Sequence, residues 1–133
     1  MNLITYDNEA KMGYMHIIPF SPNMRIEFTD ELEENPRIML DIDNQGRIIG
    51  IEFFGELSNS LKKFVKQKKI YHKKMYEDKT IYSFRVNSNR YLKMVSLKGI
   101  IFYFADEMCN EFIGLDIIDI EKYDTCLLDN MSY

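Results

Sequence analysis

The sequence predicts a mainly β protein of the α+β kind, with two tandem antiparallel β-meander units sharing a core and one helix between them packing on the sheet. Three observations predict it. Ile49-Gly50-Ile51-Glu52 returns 64 residues later as Ile113-Gly114-Leu115-Asp116, each at the end of an apolar run with strand character. Turn residues punctuate the chain at short intervals on both sides of a central segment. In that segment alone, the apolar period changes to that of a helix. The 133 residues are therefore read as a single compact domain of two pseudo-repeats, 1–56 and 69–120, joined by the helical segment 57–68. Units of about 65 residues bury little core alone, which is why a shared core is expected.

The first repeat opens with a short apolar strand at Leu3 to Thr5, a turn at Asp7-Asn8-Glu9, and a second strand from Gly13 to Ile18 that Pro19 closes. After Ser21-Pro22-Asn23, the segment Met24 to Thr29 alternates with period two, as a strand with one wet face does. Asp30 to Asn35 reads as a polar loop ended by Pro36. Ile38 to Ile42 and Arg47 to Phe54 form a hairpin around Asp43-Asn44-Gln45-Gly46, with Gly46 free to take a positive φ. Ser58 or Ser60 is expected to cap the helix, whose Leu57, Leu61, Phe64 and Val65 fall near one face.

The second repeat supplies strands at Ile70 to Met75, Thr80 to Val86, Tyr91 to Leu97, Ile100 to Ala105 and Phe112 to Ile120. Aligned on the repeated Ile-Gly pair, Ile38-Met39-Leu40 lies over Phe102-Tyr103-Phe104 and Asp43 over Glu107, while Tyr14 is matched to Tyr82. Gly50 and Gly114, inside strands, are expected to mark a bulge or the close approach of another backbone.

Composition narrows the function classes. At 46% hydrophobic and 14% aromatic residues, the chain has little room for long disorder. Uncharged apolar stretches such as Gly99 to Ala105 are far too short to span a membrane, and the first residues do not read as a secretion signal. No membrane association and a cytoplasmic location are expected. Cys109, Cys126, His16 and His72 are scattered too widely for a zinc site, so neither metal nor cofactor is expected. A nucleophile elbow and a phosphate-cradling glycine loop are both missing. Asp41 with Asp43 share a strand face, but Asp43 already begins the hairpin, so solvated turn carboxylates are the expectation. The chain does not read as an enzyme.

Tyr6-Asp7-Asn8-Glu9-Ala10, Tyr14-Met15, Asp43, Gly46 and Ile49-Gly50-Ile51-Glu52 together resemble the YuzE-like family of small bacterial domains of unknown function. The resemblance covers residues 3 to 56, with a more degenerate copy in the C-terminal half. Lys11 stands where the family usually carries Asp, and Met12-Gly13 replaces a small-apolar pair, so any chemistry of that Asp would be lost here. The resemblance implies a β-meander with a helix and no established enzyme activity, and such domains resemble the antitoxin-like partners of small bacterial toxins.

Charge supplies the candidate sites. Glu27, Asp30, Glu31, Glu33 and Glu34 cluster at one strand end, and Asp116, Asp119, Glu121 and Asp124 form a counterpart near the C-terminus. A nuclease needs a basic cleft, and an inhibitor fills it with carboxylates that steer association and seal the site, with aromatic residues as anchors. The expected function is toxin neutralisation, by an immunity protein or an antitoxin in a 1:1 complex with its cognate, nuclease-like toxin. The runner-up is nucleic-acid binding or autoregulation through Lys62, Lys63, Lys66, Lys69 and Lys73, within a 13-residue stretch that lacks acids. Against it stand the net charge of -4 and the absence of arginine from that stretch. A third reading is a structural homodimer built from exposed strand edges.

Overall fold

The computed structural model describes residues 2–133, and the chain divides into two compact units, 1–68 and 69–133. Each unit is built on one five-stranded antiparallel sheet. The first contains β1 (Ile4–Asp7), β2 (Met12–His16), β3 (Ile26–Leu32), β4 (Asn35–Asp43) and β5 (Ile48–Phe54), followed by a 3-10 helix (Gly55–Phe64). The second contains β6 (His72–Tyr76), β7 (Lys79–Arg85), β8 (Lys93–Leu97), β9 (Ile100–Phe104) and β10 (Phe112–Ile117), followed by the short helices α1 (Ile120–Tyr123) and α2 (Thr125–Asn130).

Both sheets share one topology, β1-β2-β5-β4-β3 and β6-β7-β10-β9-β8. This departs from a plain meander, because the last strand of each unit inserts between the second and the fourth. Burial explains the insertion. Ile48 to Ile51 and every residue of β10 are buried, so these strands need a neighbour on each edge and cover on each face.

The repeated Ile-Gly pair is a β-bulge in both units. Asp41 pairs with Gly50 and Ile42 with Ile48, leaving Ile49 extra; Tyr103 pairs with Gly114 and Phe104 with Phe112, leaving Ile113 extra. The bulged carbonyls accept equivalent bonds, from Ile17 N to Ile49 O at 3.0 Å and from Val86 N to Ile113 O at 2.7 Å.

The ladders correct the alignment made on sequence. His16 pairs with Gly50 as Arg85 does with Gly114, so Tyr14 corresponds to Ser83 rather than Tyr82. Leu40 pairs with Ile51 as Phe102 does with Leu115, which sets Asp41 opposite Tyr103 in the comparison, two residues from the expected match. Asp43 corresponds to Ala105, since each donates its N–H to the far side of its hairpin, Arg47 O and Glu111 O.

The helix also differs from expectation. It winds as a 3-10 helix that begins at Gly55, and Phe54 precedes it without a side-chain cap. Ser58 and Ser60 lie inside it, where their hydroxyls donate back to Gly55 O and Leu57 O. Leu57 and Leu61 are buried against the sheet, and the helix packs on β1, β2 and β5. A Cβ on Gly13 would meet Leu61 Cδ1 at 2.8 Å, so Gly13 is what lets the helix lie this close.

Strand limits shift as well. β3 runs on to Leu32, so the expected loop Asp30 to Asn35 shrinks to the two-residue turn Glu33-Glu34. Pro36 falls within β4, where the ladder is irregular between Glu31 and Leu32 and no amide is demanded of it. In the second unit, Ile120 ends as helix rather than strand, and α1 and α2 escaped the sequence reading. The two-residue turns Glu77-Asp78 and Lys98-Gly99 take positive φ at both positions, the geometry that matches strand twist. Among the described residues no helix is long and apolar enough to cross a membrane.

Candidate functional site

The helix covers one face of the first sheet; the other carries polar side chains around Gly50. Register places Tyr14 opposite Glu52 and Asp41 opposite Gly50. Tyr14 therefore crosses diagonally over Gly50, and its hydroxyl donates to Asp41 Oδ2 at 2.7 Å. Thr29 Oγ1 donates to Asp41 Oδ1 at 2.7 Å. One largely buried carboxylate thus ties β2, β3 and β4 together across β5.

His16 and Glu52 flank this centre. The His16 ring lies edge-on between Tyr14 and Phe20, with centroids at 4.8 and 4.7 Å, and its buried Nδ1 has no hydrogen-bond partner among the described residues. Burial lowers the His16 pKa despite the opposing pull of Asp41. Burial and then the Asp41 charge raise that of Glu52. Tyr14 is held far above its ordinary range, first by burial and then by its bond to Asp41. Its hydroxyl is the proton donor in the bond to Asp41.

The second unit rebuilds this centre with its parts exchanged. Tyr103 stands at the position of Asp41, Asp116 at that of Glu52 and Arg85 at that of His16. Tyr103 donates to Asp116 Oδ2 at 2.8 Å, Arg85 Nη1 donates to Asp116 Oδ1 at 2.9 Å, and the guanidinium lies 4.4 Å from the Tyr103 ring centroid. Burial first, then the bond to Asp116, raises the Tyr103 pKa. Ser83, at the position of Tyr14, is buried with its hydroxyl unpartnered among the described residues.

The predicted acidic residues fall in different settings. Glu27, Asp30 and Glu31 lie on β3, and Glu33 and Glu34 in the turn after it; all five are exposed. They form one acidic border of the first sheet, with Arg25 paired to Glu27 at 2.9 Å. The second cluster does not hold together. Asp116 is a correction: it is buried on a central strand and committed to Arg85 and Tyr103, so it is no surface carboxylate. Asp124 caps α2 by accepting from the amides of Cys126 and Leu127. Asp119 and Glu121 are exposed and line an open groove with Lys79, Thr80, Ile118 and Ile120.

The lysine run divides between the units. Lys62 and Lys63 end the 3-10 helix, over the rings of Tyr6 and Phe64 at 4.8 and 5.4 Å, and Lys66 follows exposed. In the second unit, Lys69 is exposed and Lys73 on β6 is paired to Asp129 at 2.9 Å. The described residues contain no group of three or more His, Cys, Asp or Glu side chains arranged to hold a metal ion.

The motif residues of the first unit shape the backbone. Asp7 Oδ1 accepts from the amides of Glu9 and Ala10 and fixes the β1–β2 turn, while Tyr6 donates to Asn59 Oδ1 of the helix at 3.2 Å. Buried Asp43 accepts from the amides of Gln45 and Arg47 and from Arg47 Nε, and Gly46 takes φ 75° beside it. Gly50 leaves the space that Tyr14 fills. The Tyr14–Asp41 bond was missed on sequence; its available signal was a glycine inside an apolar strand, which marks a place where something else lies close.

Residues 3–56 match the family described as "Protein of unknown function (DUF2283)". The chain is also similar to the "Uncharacterized protein YuzE" of Bacillus subtilis (strain 168), 29% identical over 133 residues that cover 99% of this chain and 98% of that protein. No solved structure gives a significant match. The Asp7 turn, the Asp43–Gly46 hairpin and the Gly50 bulge all lie inside residues 3–56, the segment that matches this family of unknown function and lies within the similarity to YuzE.

Proposed function

We propose that the protein is a cytoplasmic, toxin-neutralising binding protein that forms a one-to-one complex with a partner whose active site is basic and nuclease-like, as an immunity protein or an antitoxin does. The observation that supports this reading is β3. Residues Ile26 to Glu31 are all exposed, and Glu27, Asp30 and Glu31 continue into Glu33 and Glu34 at the turn. Carboxylates on a strand held by Asp41 form a pre-ordered acidic border, which speeds encounter with a basic surface and keeps ordering losses small. Ile26 and Phe28 supply the apolar contact that survives added salt.

Affinity capture of the tagged protein from its native host, read by mass spectrometry at low and high salt, tests the proposal. One stoichiometric, salt-resistant protein partner, lost on E31K/E33K/E34K, is the expected result. Retained binding and protection in that variant would remove β3 from the mechanism. Nucleic acid alone, released as salt rises, would move the function to the lysine segment.

A further inference from the structure

Exposed apolar side chains lie on or beside three edge strands, β3, β6 and β8, and two of these, β3 and β8, are topologically equivalent. β3 and β8 each end a five-stranded sheet at the same place in the fold. On β3, Ile26 is 46% and Phe28 48% exposed; on and just before β8, Tyr91 is 54%, Leu92 64% and Met94 51% exposed. The two edges carry opposite charge, Glu27, Asp30 and Glu31 on one against Arg90 and Lys93 on the other, all exposed. A terminal strand with exposed apolar residues presents unpaired backbone groups and is a template for another strand.

We infer that the chain self-associates by adding β3 of one molecule to β8 of a second, the acidic strand against the basic one. Charge selects this combination. Pairing β3 with β3 would set carboxylates against carboxylates, and β8 with β8 would oppose Arg90 and Lys93 to themselves, whereas the mixed pair places opposite charges across the ladder. The other two edges are poorer. β1 has four residues, and β6, although it exposes Met75 and Tyr76, matches β3 less well in charge, because its Lys73 is already paired to Asp129 at 2.9 Å and it runs into the acidic turn Glu77-Asp78. The contact joins unlike surfaces, so two such contacts about a twofold close a dimer, and one alone propagates. This goes beyond the binding role proposed above and stands without it, although a basic partner and a second copy would compete for β3.

Sedimentation equilibrium over a concentration series tests the pairing. The mass of the wild type should rise with concentration. D30K/E31K and R90E/K93E should each weaken association by about tenfold or more, equivalent to about 1.4 kcal/mol, and the four changes combined in one chain should restore it. A monomer at every concentration, unchanged association in either reversed variant, or no recovery in the combined chain overturns the inference. Amide exchange on the wild type gives a check free of substitutions: β3 and β8 should gain protection with concentration, and gain confined to other strands overturns it as well. Capture of a basic partner is read separately, at dilution, so either proposal can fail alone.

Discussion

The Tyr14 hydroxyl occupies the space that a side chain on Gly50 would need. From there it bonds Asp41 at 2.7 Å, so a residue on β2 reaches β4 only because the strand between them has no Cβ at that point.

Gly50→Ala should therefore destabilise the protein by about 3 kcal/mol, from overpacking together with the loss of a partly buried hydrogen bond. Because the obstructed group is a side chain, Tyr14→Ala in the same chain should relieve much of that loss. A urea double-mutant cycle reads the coupling, and simple additivity would refute the account.

Gly114→Ala should behave differently. Its Cβ would meet the Phe84 carbonyl oxygen as well as the Arg85 side chain. Truncating Arg85 should leave most of the penalty in place, because a backbone atom cannot swing aside. The contrast with the Gly50 cycle is measurable by the same unfolding experiment.

Asp43→Ala should cost about 3–5 kcal/mol, because it leaves Arg47 buried without its carboxylate and opens two turn amides. Glu33→Ala, in the exposed turn, should change stability by less than about 0.5 kcal/mol. Comparable losses in chemical denaturation would contradict the assignment of Asp43 as the residue that holds the hairpin.

Acidification should weaken the fold through His16. Its folded pKa lies below the ordinary histidine value, so the unfolded chain binds the proton more readily. The stabilising contribution is present above the unfolded pKa and is lost as pH falls through the folded one. Glu52 works in the opposite sense, since its raised pKa makes a contribution that is present at low pH and lost as pH rises through the folded value. Thermal melts between about pH 7 and pH 5.5 should show a decline that His16→Phe flattens. An identical slope in that variant would place the titration elsewhere.

Local chemistry made much of this protein legible in its sequence. Asp43 with Gly46 specifies a tight hairpin through a side-chain acceptor and a positive φ, and Ile-Gly inside an apolar run marks the bulge in both units; each depends on neighbours along the chain. Ten strands, the position of the helical segment and the YuzE-like resemblance were readable for the same reason. Tertiary structure decided what depends on distant partners. Two-sided burial set β5 and β10 between the second and fourth strands of their units, and pairing of β2 with β5 and of β7 with β10 set the register that equates Tyr14 with Ser83. Asp116 looked in sequence like the acidic residues around it, yet a central strand buried it and Arg85 and Tyr103 satisfied it. A carboxylate carries the same charge on a rim or in a core, and only its folded surroundings determine whether water or a protein group answers it.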